Sequence, residues 1–335
     1  MTLFISILLT LFLIFINTKY KIGNDFISSR KVHKLPTSRL GGIAVAGSFL
    51  ISVFLDSKLN LFDIYVDLIL IFFFIFVLIE DINGILKPSV RLLAIIVCSF
   101  LLVSELDLSI SNLGVPILDL FLENLTVSLL FTTISLSLLA NGFNLIDGFN
   151  GLVAGFSIMV LTILMMLANE VSEPEIYFLC NTLLMSALGF FILNFPYGKI
   201  FLGDAGAYFL GLTTGVLALL LVQRTETISY WFVLALFIYP IYEVVFSMIR
   251  RRFHEKTNTS QADDLHMHHL IYQKVVNCSY FPRKEFCNSA TSIIMVLIAS
   301  SSVLPAYIWA DSSVALFSIS IIFMAIYTSI FLKLR

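Results

Sequence analysis

The sequence predicts an all-α polytopic integral membrane protein of about 11 transmembrane helices with a catalytic cytoplasmic face, and three observations carry that prediction. Hydrophobic residues make up 59% of the chain, charged residues 13%, and mean hydropathy is +0.98. A soluble domain could not hide that much apolar surface. Apolar segments approaching the roughly 20 residues needed to cross a bilayer core recur from one end to the other. Polar, glycine-marked clusters stand at their ends.

The predicted spans are 1–17, 41–57, 65–79, 90–104, 121–140, 150–168, 176–194, 205–222, 230–249, 289–307 and 313–332. Residues 1–17 lack a basic start, and no small-residue cleavage site precedes Lys19, so they read as a first span and not as a removable signal. The second and third spans are divided by Asp56, Lys58, Asp63 and Asp67 with little room for a loop. Lys and Arg fix the orientation, because short translocated loops are poor in them. Placing 18–40, 80–91, 141–149, 195–204, 250–288 and 333–335 on one side gathers 18 of the 20 basic residues there. Only Lys58 and Arg224 fall opposite, among many carboxylates. The amino terminus is therefore expected outside the cytoplasmic membrane and the carboxyl terminus inside, which requires an odd number of spans.

Residues 1–335 read as one membrane domain, with 250–288 a large cytoplasmic loop within it. Cys98, Cys180, Cys278 and Cys287 are too scattered for a disulfide framework or a metal knuckle. A net charge of −2 without basic-aromatic interleaving points to no nucleic-acid partner. Glu243, inside the ninth apolar segment, is costly there unless it hydrogen-bonds between helices or lines a polar interior.

Five polar clusters on the basic side are candidates for chemistry. Asn141 to Gly151 contains Asn144, Asp147 and Asn150 three apart; if it continues the preceding helix, they share roughly one face. Arg39, before Gly41 and Gly42, offers a planar donor fork suited to phosphate, or anchors to lipid headgroups. Glu80 and Asp81 at a helix end need solvent, a partner or a cation. Asp204, between Gly203 and Gly206, suits Mg²⁺, which binds few protein oxygens beside substrate phosphates, and Asp147 is a second carboxylate for it. Lys199 is either a phosphate contact or a topological anchor. Arg250 to Arg252 precede Asp263-Asp-Leu-His-Met-His-His269, where a diphosphate satisfies the imidazoles better than zinc does, no thiolate being near. Together these residues describe a phosphate-handling membrane enzyme.

The ordered motifs Pro36 to Gly42, Glu80-Asp81 with Arg91, Asn141 to Gly151, Gly203 to Gly206 and His266-Met-His-His269 resemble the polyprenyl-phosphate N-acetylhexosamine-1-phosphate transferases, glycosyltransferase family 4, over nearly the whole chain. The arginine before the paired glycines and the His-x-His-His form look WecA/TagO-like rather than MraY-like. The resemblance implies transfer of a sugar 1-phosphate from a UDP-N-acetylhexosamine to undecaprenyl phosphate, releasing UMP, with Mg²⁺ or Mn²⁺. It implies catalytic roles for Glu80, Asp81, Asp147, Asp204, His266, His268 and His269, and substrate contacts at Arg39, Arg91, Asn144, Asn150 and Lys199. Membrane lipids are implied partners, and a homodimer is compatible. Two residues depart from the family pattern, Glu80 for aspartate and Asn150 for aspartate, and they shift the expected sugar away from N-acetylglucosamine. The competing readings are a muramoyl-pentapeptide transferase, a lipid transporter and a membrane scaffold.

Overall fold

The computed structural model describes residues 1–20, 24–25, 37–55, 64–84, 87–225, 227–255, 265–276, 279, 281 and 284–335. Pro36, Asp263, Asp264 and Cys278 of the motifs and cysteines above lie outside them. The described chain is helical apart from a two-residue antiparallel pair, β1 (Asn24–Asp25) with β2 (Thr37–Ser38). The helices are α1 (Thr2–Tyr20), α2 (Gly41–Phe54), α3 (Ile64–Asn83), α4 (Pro88–Glu105), α5 (Pro116–Leu122), α6 (Leu125–Ile146) and α7 (Leu152–Glu170). They continue as α8 (Pro174–Asn194), α9 (Gly203–Arg224), α10 (Trp231–Ile249), α11 (Met267–Leu270), α12 (Lys284–Ile308) and α13 (Ser313–Leu334). Short π-helical turns follow α10 and α11.

Nine of the described helices are long and apolar enough to cross a membrane. Two expected spans fall short of that standard for different physical reasons. Helix α2 is apolar but has only 14 residues. Helix α3 has 20 residues but carries Asp67, Glu80 and Asp81, so the carboxylates that make it interesting also make it a costly span.

Local signals set many boundaries. Pro88, Pro116 and Pro174 open α4, α5 and α8, where the missing N–H costs nothing. Asn124 caps α6 by accepting from the N–H groups of Thr126 and Val127 at 3.0 and 3.3 Å. Inside the apolar helices, hydroxyls close back on the preceding turn, as Ser48 does on the Ala44 carbonyl at 2.6 Å and Thr214 on that of Leu210 at 2.6 Å. Pro240 lies within α10, where Phe237 leaves helical geometry and kinks it.

Helix α9 is the axis of the bundle, and its membrane-spanning stretch is wholly buried inside the protein. Its glycines allow the close approach: a Cβ at Gly206 would lie 2.6 Å from the Gly42 Cα on α2, and one at Gly211 would lie 2.9 Å from the Ala140 Cα on α6. Around it, Phe49, Phe74 and Phe209 pack edge to face. The bundle therefore delivers one end of a shielded helix, the Gly203 end, to the polar clusters.

The structure corrects two expectations. Helix α6 runs on through Asn141 to Ile146 and stops there, with Asp147 at the C-cap and Gly151 in left-handed geometry at φ 76°. Asn144, Asp147 and Asn150 therefore do not form one helical ledge. Cys287 is disulfide-bonded, whereas Cys98 and Cys180 are buried free thiols.

Candidate active site

The N-terminus of α9 has no cap from its own chain neighbourhood, and α3 supplies one. Asp81 Oδ2 accepts from the Ala205 N–H at 2.9 Å, placing a carboxylate at the positive end of the helix dipole. Gly203 makes this possible: at φ +78° an added Cβ would lie 2.2 Å from the Arg39 carbonyl oxygen and 2.9 Å from Asp81 Oδ2. The Arg39 segment is laced to the same turn, with Gly41 N–H donating to the Phe201 carbonyl at 2.9 Å, Gly42 N–H to that of Leu202 at 2.8 Å, and Phe201 N–H to that of Ser38 at 2.8 Å. Three sequence clusters thus meet at one helix end.

Glu80, Asp81 and Asp204 each offer a carboxylate oxygen within 4.8 Å of the others. Arg91 Nη1 lies 2.6 Å from Asp204 Oδ2 and 3.6 Å from Glu80 Oε2. Three carboxylates against the charges of Arg91 and Arg39 leave excess negative charge, and Asp81 Oδ1 is buried without a hydrogen-bond partner. Hard oxygen donors in that number, with an orphaned oxygen among them, fit a divalent cation such as Mg²⁺ or Mn²⁺. Asp147 stands outside this group. It lines an adjoining cavity of about 220 Å³ with Arg39, Asn150, Asp204 and His269. Burial and the Asp204 charge push Asp147 up to about 8, with Arg39 pulling the other way and Asp81 adding to the rise.

Only His269 of the three histidines lines that cavity. His268 is buried behind it, 5.5 Å from the Phe149 ring centroid and stacked at 5.5 Å on His266. Burial and its two histidine neighbours hold its imidazole well below the usual histidine range, so it is neutral at pH 7. A Cβ at Gly148 would sit 3.2 Å from His268 Nε2, which fits the histidine segment against the Asp147 loop. His266 Nδ1 lies 3.0 Å from Glu243 Oε1.

The amides do structural work. Tyr208 donates to Asn144 Oδ1 at 3.1 Å. Asn150 N–H donates to Asn288 Oδ1 at 2.7 Å, and its Nδ2 to the Pro196 carbonyl at 3.2 Å. Ser289 donates to that carbonyl at 2.6 Å, so α12 fastens the 147–151 and 195–198 loops together. Lys199 is exposed beside the Tyr197 ring and does not line the cavity. Tyr208 carried no signal in the sequence because it is one hydroxyl within an apolar helical run, and Asn288 and Ser289 carried none because the start of α12 is polar throughout and they look there like ordinary helix-end residues. Glu243 stood out as a buried charge, but nothing in its spacing named His266.

A phosphate-handling membrane enzyme is the class that this bundle and this carboxylate-lined cavity define. Residues 63–222 match the model of "Glycosyl transferase family 4". The chain is 30% identical over 259 residues to the probable undecaprenyl-phosphate N-acetylglucosaminyl 1-phosphate transferase of Bacillus subtilis (strain 168), covering 75% of this chain and 70% of that protein. It is 27% identical to the undecaprenyl-phosphate alpha-N-acetylglucosaminyl 1-phosphate transferase of Escherichia coli (strain K12) over 50% of this chain and 45% of that one. A phospho-N-acetylmuramoyl-pentapeptide-transferase of Limosilactobacillus reuteri (strain DSM 20016) is 37% identical, but over only 24% of this chain and 27% of that protein. The chain belongs to glycosyl transferase family 4.

Proposed function

We propose that this protein transfers an N-acetylhexosamine 1-phosphate from a UDP-sugar to undecaprenyl phosphate, giving the lipid diphosphate sugar and UMP, as the first step of a surface polysaccharide. The observation that carries this reading is the carboxylate group at the buried end of α9, adjoining a cavity that also presents Arg39 and His269. Cationic and metal-binding groups side by side suit a diphosphate, and their place at a bundle end suits a meeting of soluble and lipid substrates.

In this reading Asp204 and Glu80 would supply oxygens to a divalent cation, beside the cavity that Asp147 lines. When bound, the cation neutralises charge on the diphosphate oxygens. Arg39 and His269 hold the rest of that charge. The acceptor phosphate has a second pKa of roughly 6 and is already an oxyanion near neutral pH. Asp81, oriented by the Ala205 N–H, keeps Oδ1 for any remaining proton. The acceptor oxygen then attacks the β-phosphorus directly and UMP leaves, with no phospho-enzyme. Asp81→Asn should lower turnover strongly near pH 7, less at higher pH, and leave UDP-sugar binding intact.

An apolar groove of about 600 Å³ between α3 and α4 runs from Tyr65 and Glu105 to Val90, the residue before Arg91. Its end beside Arg91 makes it a seat for the isoprenoid tail, with the phosphate reaching the carboxylate group.

The deciding experiment supplies purified protein with undecaprenyl phosphate and a panel of UDP-sugars and measures UMP and lipid product. Turnover with one or more UDP-N-acetylhexosamines is expected. Turnover confined to UDP-muramoyl-pentapeptide, or lipid movement without UMP release, overturns the reading.

A further inference from the structure

Glu243 is 1% exposed within the bundle and does not line the cavity. An unpaired carboxylate there would cost several kcal/mol, so its partners explain its presence. Oε1 is 3.0 Å from His266 Nδ1 and 3.3 Å from the Met267 backbone nitrogen, and Oε2 accepts from the Tyr327 hydroxyl of α13. Tyr239, one turn earlier on α10, is buried close enough for the two groups to act on each other electrostatically.

We infer that Glu243 is a positioning residue: it anchors the short histidine segment from inside the bundle and fixes His266, through which His268 and His269 are set against the Asp147 loop. The helix that begins at Met267 has four residues and no side-chain cap of its own. Its first N–H is held by Glu243 instead. A carboxylate at Nδ1 also fixes the His266 tautomer, with the proton on Nδ1. From His266 the order passes by ring stacking to His268 at 5.5 Å, and from His268 to His269 at 4.6 Å between centroids. His269 reaches the cavity. Glu243 itself touches no substrate.

The turnover part of the test rests on the transferase reading; a hydrogen-exchange part does not. Glu243→Ala should lower kcat about 10- to 100-fold, the range seen when outer partners of a functional histidine are removed, with KM for the UDP-sugar within about twofold. Glu243→Gln should recover most of the loss, because its amide oxygen still accepts from both N–H groups. Glu243→Asp, one methylene shorter, should recover little. In the His266→Ala background, Glu243→Ala should add almost nothing. Amide exchange across residues 266–270 should quicken in Glu243→Ala and Glu243→Asp. Fully additive losses, wild-type kcat in both variants, or unchanged exchange overturns the assignment. A wild-type protein that releases no UMP from any UDP-sugar fails the transferase reading alone, and the exchange measurement still decides Glu243.

Discussion

Replacing Asp204 by asparagine separates the two things its charge does. In the carboxylate group, Asp204 faces Glu80 and Asp81 within 4.8 Å and Arg91 at 2.6 Å. With an effective dielectric of about 20, each carboxylate repels it by about 3.5 kcal/mol and the guanidinium attracts it by about 6 kcal/mol. Repulsion of about 7 against attraction of about 6 leaves a residue whose charge is nearly balanced in the metal-free protein. Asp204→Asn should therefore change metal-free stability by about 1 kcal/mol or less, while removing a ligand from the cation site. The assay is a melting curve of detergent-solubilised protein across a Mg²⁺ titration, paired with UMP release. Wild type should gain stability with Mg²⁺ as a ligand of the native state does, about 2.7 kcal/mol at 100 times Kd. Asp204→Asn should melt with the metal-free wild type, gain little from Mg²⁺ and lose nearly all turnover. A variant that keeps both the Mg²⁺ shift and the turnover, or wild type fully active in chelator, refutes the reasoning.

Asp147, raised to about 8, holds its proton at neutral pH in the metal-free protein, and a cation held by the neighbouring carboxylates would favour its ionised form. Apparent Mg²⁺ affinity should accordingly rise as pH climbs from 6.5 to 8.5, and this dependence should flatten in Asp147→Asn; activity titrations at fixed pH values measure it. Asn150→Asp replaces the donor to the Pro196 carbonyl with a second acceptor and should lower stability by about 1–3 kcal/mol, seen as a lower melting temperature even without substrate. Ala94→Trp, in the α3–α4 groove, should raise KM for undecaprenyl phosphate but not for a short-chain polyprenyl phosphate; equal effects on both would remove the tail from that groove. For orientation, cysteine at Ser172 should react with an impermeant thiol reagent in intact cells and cysteine at Ser260 should not, the reverse pattern inverting the topology.

Much of the bundle was legible because apolar runs between polar clusters have few other readings in a chain this hydrophobic. The boundary at Asp147 was less legible: Asn141 to Ile146 look like a loop by polarity, yet their helix is completed by packing against α9 and α10, with Gly142 close against Pro240. The candidate site divided along the same line. Carboxylates that contradict their apolar surroundings, Glu80, Asp81 and Asp204, were visible as anomalies. Their mutual distance was not, because it depends on α3 capping a helix more than a hundred residues later. Asn150 stood out as a candidate contact for substrate and lines the cavity; that its hydrogen bonds also tie loops is a role that only the Pro196 and Asn288 partners disclose.

The wholly buried α9 has a consequence for how the protein experiences its surroundings. Lipid meets the outer helices, of which α1 is 17% buried and α4 and α13 are 28% buried over their membrane-spanning stretches. A bilayer that is too thick or too thin acts on hydrophobic surfaces in contact with it, by tilting or bending them at fractions of a kcal/mol per Å. Those helices absorb the strain, while the membrane-spanning stretch of α9 is packed within protein. The end of α9 that holds Asp204 is in effect mounted on a pillar insulated from the membrane's thickness, so the same geometry should be kept in membranes of different lipid composition.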